Sequence, residues 1–198
     1  MNESQVNWLF NKYSDKNISI LEGVMGFYDG MDKNASAYDV TKLLNIPTVI
    51  VLDGSGSYIT LSAVIKGLKT YQEGNTIKGV VFNHISSLSH FELIKNQVEK
   101  DFDDVVVLGW IQNRLDTLDS THLGLDLKDN KIEKLELMSK EVLKHIDLEK
   151  LESIANFEAQ EVETYPFEKV EIYDKHIALV NDDNFSFLYH DNLEFLKE

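Results

Sequence analysis

Short apolar runs alternate with helix-spaced apolar positions over the first two thirds of the chain, a pattern that predicts βα units laid into a parallel sheet. Val6, Leu9, Phe10 and Tyr13 predict an amphipathic helix over about 4–15, with a short strand, Ile18-Ser19-Ile20-Leu21, after it. Ala37, Val40, Leu43 and Leu44 mark a second helix, and Pro47 resets the chain into Thr48-Val49-Ile50-Val51-Leu52. The continuous β-branched character of that run suits a strand buried on both faces. Leu61, Val64, Ile65 and Leu68 give a third helix, and Ile77 to Phe82 a third strand. Phe91, Leu93, Ile94 and Val98 give a fourth helix, and Val105-Val106-Val107-Leu108 a fourth strand. Ligands of open α/β sheets bind beyond the carboxyl ends of the strands, so Glu22, Asp53, Asn83 and the loop after Leu108 are the positions to inspect.

Beyond Asn130 the pattern changes to charged helices, with Leu135, Met138, Val142 and Ile146 on one stripe and Leu148, Leu151 and Ile154 on another. Asp147 is placed to cap the second of them. An acidic stretch from Glu158 to Glu163 reads as a linker, and Ile177-Ala178-Leu179-Val180 as a new strand. The expected organisation is a sheet domain over 1–130, a helical connector over 131–169 and the opening of another domain over 170–198.

Composition narrows the function. The chain has 198 residues, 19 Lys and Arg against 34 Asp and Glu, and a net charge of −15. Such a field repels a phosphate backbone, so nucleic acid is not an expected partner. No window approaches the roughly 18 apolar residues of a membrane span, and Met1 to Gln5 does not open a signal peptide. The sequence therefore predicts a cytoplasmic protein with no membrane contact. It contains no cysteine, which removes disulfides, thiolate metal sites and a thiol nucleophile.

The segment Leu21-Glu22-Gly23-Val24-Met25-Gly26-Phe27-Tyr28-Asp29-Gly30 carries the most chemistry. A carboxylate directly after a buried strand is where nucleotide-binding α/β proteins hold Mg²⁺, because a hard cation wants fixed oxygen ligands beside the phosphates. The competing reading is a strand-to-helix loop whose glycines supply positive φ. Asp53-Gly54-Ser55-Gly56-Ser57 follows the next strand and reads either as a phosphate cradle or as a tight turn. Asn83 ends the third strand, where its amide offers a paired donor and acceptor to an adenine edge or simply serves a turn. His84, His90, His145, His176 and His190 show no metal-ligand spacing, and G-x-x-x-x-G-K-[ST], the phosphate-holding motif of such folds, does not occur.

These motifs agree with one family. Leu21 to Gly30 resembles the E-G-V-M-G-L-[FY]-D-G signature of cobyrinic acid a,c-diamide synthases, with Phe27 where leucine is usual. Ala37 to Leu44 with Pro47, the strand ending at Asp53, Ala63 with Lys66-Gly67, Gly79 to Asn83 with His90, Leu108-Gly109-Trp110 and His122 to Leu125 follow in the family's order. Ile177 to Phe187, with Tyr189 and Asn192-Leu193, resembles the family's entry into its glutaminase domain. The resemblance implies a P-loop-NTPase-like parallel sheet missing its first βα unit, a helical connector and a stub of a class I glutamine amidotransferase domain. It implies ATP and Mg²⁺ as cofactors, with Glu22 on the metal, Asp29 positioning metal or substrate, Asn83 on adenine and Asp53 on the phosphate side. In the family's reaction a cobyrinate carboxylate is phosphorylated and glutamine-derived ammonia then displaces the phosphate. Thr121 stands where the family usually has arginine. A nickel-tetrapyrrole diamide synthase and a degenerate ATPase-like binding module are the alternatives. A chain without the P-loop strand is expected to be inactive alone and to pair, either as a homo-oligomer or with the missing segments.

Overall fold

The computed structural model describes residues 1–14, 18–115, 120–121, 124–125, 132–155, 165–168, 176–180 and 188–197. Its centre is a three-stranded parallel sheet in sequence order, β1 (Thr48–Asp53), β2 (Ile77–Ile85) and β3 (Val106–Gln112). The crossovers are α3 (Ile59–Tyr71) and α4 (Leu88–Asp101), which pack on each other as well as on the sheet. Two parallel connections of one hand place their helices on the same face, which is what this contact requires. Preceding the sheet are α1 (Glu3–Ser14) and α2 (Ala37–Leu44), joined through a 3-10 turn at Met31–Lys33. Ser36 caps α2 in a reciprocal box, accepting from the Asp39 amide while the Asp39 carboxylate accepts from the Ser36 amide. A two-residue hairpin, β4 (Ser120–Thr121) with β5 (Gly124–Leu125), follows β3, and then come α5 (Ile132–His145), α6 (Leu148–Ile154) and α7 (His190–Phe195).

Alternation along β2 divides the two faces. Val80 and Phe82 enter a core shared with Leu61 and Ile65 of α3 and Phe91, Ile94 and Val98 of α4. Gly79, one residue before Val80 and so on the opposite face, meets α6: a methyl group there would lie 2.9 Å from both Ile154 and Leu108. The outer edge of β3 is closed by the corner between α5 and α6, where the Asp147 amide donates to the Leu108 carbonyl at 2.8 Å and Ile146 bridges Gly109. Gly109 is required twice over. Its φ is +144°, and a Cβ would sit 2.0 Å from the His145 carbonyl oxygen. The same corner lays the His145 ring on Trp110, with centroids 4.2 Å apart, and Trp110 in turn on Phe91 at 5.9 Å. Away from the sheet, α1 meets the C-terminal residues: Lys12 pairs with Asp191 at 2.9 Å and Glu194 at 2.6 Å, and Trp8 sits edge-on to Tyr165 and Phe167.

The expected helices are present with boundaries shifted by a few residues, and Asp147 caps α6 by accepting from the Lys150 amide at 3.0 Å. Two expected strands are not formed. Ile18 to Leu21 carries no ladder, with Ile18 64% and Ile20 89% exposed, and Ile177 to Val180 is likewise irregular and exposed. A strand has no internal hydrogen bonds, and neither run has a sheet edge beside it among the described residues. His122 and Leu123, the Glu158 to Glu163 linker, the boundary at 169–170 and the entry at Asn181 to Phe187 lie outside the described residues. No described helix is long and apolar enough to cross a membrane.

Two substitutions test this packing by denaturant unfolding. Phe82 is fully buried, so Phe82→Ala should cost about 3–5 kcal/mol. Gly109→Ala should cost about 3 kcal/mol and release the α5–α6 corner, read as a change in Trp110 emission, because neither the backbone angle nor the His145 carbonyl accommodates a methyl group.

Candidate functional site at the carboxyl ends of the strands

β1 and β2 end side by side, with Asp53 and Asn83 as register partners. The Gly54 amide donates to the Asn83 carbonyl at 2.8 Å, and a Cβ at Gly54 would strike the Ile85 side chain at 2.3 Å, so only glycine lets the two ends approach this closely. The Asp53 carboxylate then folds over its own turn, accepting from the Ser55 amide at 2.8 Å and the Ser55 hydroxyl at 2.6 Å. The Ser57 amide donates back to the Gly54 carbonyl. Gly56, at φ +61°, completes a tight turn with open space around its Cα. In this geometry the Ser55 and Ser57 amides are spent within the turn. The Ser55 hydroxyl, then its amide, then His84, hold the Asp53 carboxyl down at about 2, an anion throughout the physiological range.

His84 is the residue that the sequence reading passed over. Phe82 pairs with Trp110 and Ile85 with Gln112, so Asn83 and His84 together oppose the single residue Ile111, which is a β-bulge. His84 takes the left-handed conformation, φ +57°, at a cost of about 1–2 kcal/mol for a residue with a Cβ. The bulge turns its ring toward β1, where Nδ1 lies 3.2 Å from Asp53 Oδ2. The Asn83 side chain accepts from the His84 amide at 2.9 Å. The usable signal was the Asn-His pair at the end of an apolar run, since Asn83 can satisfy a bulged amide, but a bulge leaves no period of its own in a sequence. Behind this cluster His90 is structural: its ring bridges the Ser57 carbonyl at 2.6 Å and the Ser86 hydroxyl at 3.2 Å, tying α4 to the turn.

The Leu21 to Gly30 loop is built and placed differently. Asp29 accepts from the Gly26 amide at 2.9 Å and its own amide donates to the Gly26 carbonyl at 3.0 Å, which closes a turn; a Cβ at Gly26 would lie 2.6 Å from the Asp29 carboxylate. Phe27 packs against the core, its carbonyl accepting from the Tyr38 amide, and Tyr28 donates to the Leu68 carbonyl and rests on Tyr71. The Tyr28 anchors, Leu68 and Tyr71, lie in the C-terminal part of α3, whereas α3 begins just after the Asp53 turn, about 14–18 Å away along the helix. The structure thus brings Asp53 and Asn83 together, with His84, and seats the loop of Asp29 at the other end of α3. Glu22 is exposed and makes no hydrogen bond or ion pair with the described residues. Mg²⁺ is commonly held by one or two carboxylates with phosphate and water completing its shell, so a single unengaged carboxylate fits a share of such a site. No cluster of three or more His, Asp or Glu among the described residues offers an all-protein metal cage.

Three proteins of one name are similar to this chain in sequence. The chain is 37% identical over 164 residues to the cobyrinate a,c-diamide synthase of Fusobacterium nucleatum, 79% of this chain and 36% of that protein. It is 35% identical over 168 residues to that of Saccharolobus solfataricus, covering 82% of this chain and 38% of the relative. For the Methanocaldococcus jannaschii protein of the same name the identity is 33% over 172 residues, again 82% of this chain and 39% of the relative. No family model matches the chain, and no solved structure does. The chain spans little more than a third of the length of these relatives, and that third belongs to the cobyrinate a,c-diamide synthase family.

Proposed function

We propose that this chain is the central part of a glutamine-dependent, ATP-driven amidoligase that converts the a and c carboxylates of cobyrinate to amides in cobalamin biosynthesis. The observation that carries the reading is the similarity to three synthases of that name over about four fifths of the chain. In this reading residues 1–130 are a partial ATP-binding domain of P-loop type lacking its first βα unit, 131–169 a helical connector and 170–198 the start of a glutaminase domain. The α/β sheet and its paired carboxyl ends support the first of these. A carboxylate resists attack by ammonia at neutral pH, so it must first be activated as an acyl phosphate, which is the use of ATP.

Glu22 would hold Mg²⁺, which when bound neutralises charge on the nucleotide phosphates. Asp29 positions metal or substrate from its closed turn. Asn83 meets the adenine edge, with its side-chain NH₂ still unpaired among the described residues. Asp53 is a permanent anion on the phosphate side that also orients its neighbours. β1 is an edge strand of the described sheet, which supports pairing with a further strand, from a second copy or from the preceding part of the enzyme.

Three outcomes are expected. The 198-residue chain alone should neither hydrolyse ATP nor release ammonia from glutamine, and metal-dependent turnover of either by purified protein would contradict the reading. With the P-loop and glutaminase parts supplied, Glu22→Gln should lower diamidation by a factor of about 100 or more while glutamine hydrolysis survives; near-normal diamidation would remove Glu22 from the metal. Asp53 should titrate near 2 in a carboxyl-detected NMR experiment, and Ser55→Ala should raise it toward 3.8. Because the folded value is depressed, the stability Asp53 contributes is present above 3.8 and is lost as pH falls toward 2.

A further inference from the structure

The bulge at the end of β2 spends backbone strain to place a side chain that the sheet does not need. Among the described residues the His84 ring has one polar partner, Nδ1 to Asp53 Oδ2 at 3.2 Å; the ring is half exposed, and Nε2 has none. Asp53 is fixed as an anion by the two Ser55 hydrogen bonds. The nitrogen facing it in the neutral ring therefore carries the proton, since the other tautomer would set a lone pair against a carboxylate. That leaves an acceptor lone pair on Nε2, directed away from Asp53. Beside it, the Asn83 Oδ1 is occupied by the His84 amide at 2.9 Å, so the free group of Asn83 is its NH₂ donor. Together the two neighbours present one donor and one acceptor at the carboxyl end of the sheet.

We propose that His84 is a base-contacting residue that selects a 6-amino purine, Nε2 accepting from the exocyclic amine while the Asn83 NH₂ donates to an adjacent ring nitrogen. The proposal rests on the nucleotide-binding reading above and adds to it the residue that distinguishes adenine from a 6-oxo purine. A 6-oxo group would bring an oxygen lone pair against the lone pair on Nε2. In the neutral ring Asp53 holds the single proton on Nδ1, so Nε2 has none to offer such an oxygen. Asp53 thus acts on the base through His84, as a positioning residue. The bulge is what makes this possible: at a regular β2 position the side chain would alternate with its neighbours across the sheet rather than turn toward β1.

The test compares ADP with inosine diphosphate by backbone-amide NMR titration of the 198-residue chain at millimolar nucleotide, since identical phosphates cancel their own contribution. The wild-type chain should favour ADP by roughly five- to tenfold, the value of one hydrogen bond. His84→Gly should abolish the preference while leaving the melting temperature unchanged or raised, because glycine relieves the left-handed backbone. Asp53→Asn, which frees the tautomer, should narrow the preference without abolishing binding. Equal affinity of the wild-type chain for the two nucleotides, or a preference that persists in His84→Gly, would overturn the proposal and leave nucleotide binding standing. No perturbation by ADP at millimolar concentration would overturn the base-contact proposal and leave the amidoligase reading, which the diamidation assays with the missing parts supplied test separately. Unaltered ADP binding by Asn83→Ala, with the preference lost only in His84→Gly, would remove the Asn83 assignment and support that of His84.

Discussion

Every ladder hydrogen bond of the three-stranded sheet involves β2, the one strand with a partner on both sides. Val80 and Phe82 on this strand are fully buried, so its position is set by the core, and the neighbouring strands are set by it. The ladder lapses at one end, between Phe82 and Ile85, and the candidate site lies at that lapse. A bulge at the end of a rigid strand is a useful combination. The preceding residues fix where the backbone emerges, while the extra residue gives a side chain a direction that the pleat does not allow.

The electrostatics of the strand ends follow from the same economy. The chain is strongly anionic, so a phosphate group must be met by local donors rather than drawn in by the overall field. The Gly54-Ser55-Gly56 turn is a poor source of them, since the Ser55 amide and hydroxyl serve Asp53 and the Ser57 amide serves Gly54. Under the proposed reading, the groups that cradle phosphate lie outside this turn. What the strand ends of β1 and β2 do offer is a fixed anion, the imidazole beside it and an amide NH₂ with no partner among the described residues.

The sheet and its crossover helices were legible because their signal is local. The β-branched run at Thr48 to Leu52 and the 3.6-residue spacing of Phe91, Ile94 and Val98 are each sufficient to place an element. Ile18 to Leu21 carried the same kind of apolar signal and formed nothing, because an apolar run says that a segment wants a partner without saying that one is beside it. The role of Gly109 was invisible for the opposite reason: the carbonyl it accommodates belongs to His145, 36 residues later, and only the α5–α6 corner brings them together. In the site, Asp53 and Asn83 followed from their places at strand ends. His84 did not, since its reach to Asp53 depends on one inserted residue in the pairing with β3.

The contacts of α1 with α7 have a kinetic consequence. The Lys12–Asp191 bond spans 179 residues, whereas a βα unit of the sheet closes over about 30. Joining the longer loop from an unfolded chain costs about 1.6 kcal/mol more in chain entropy, and exposed ion pairs are individually weak. The two helices therefore gain their contact only after the sheet has shortened the path between them. They form last in folding, and they open first: amide exchange in α1 and α7 should proceed through local opening long before β2 gives up its protons.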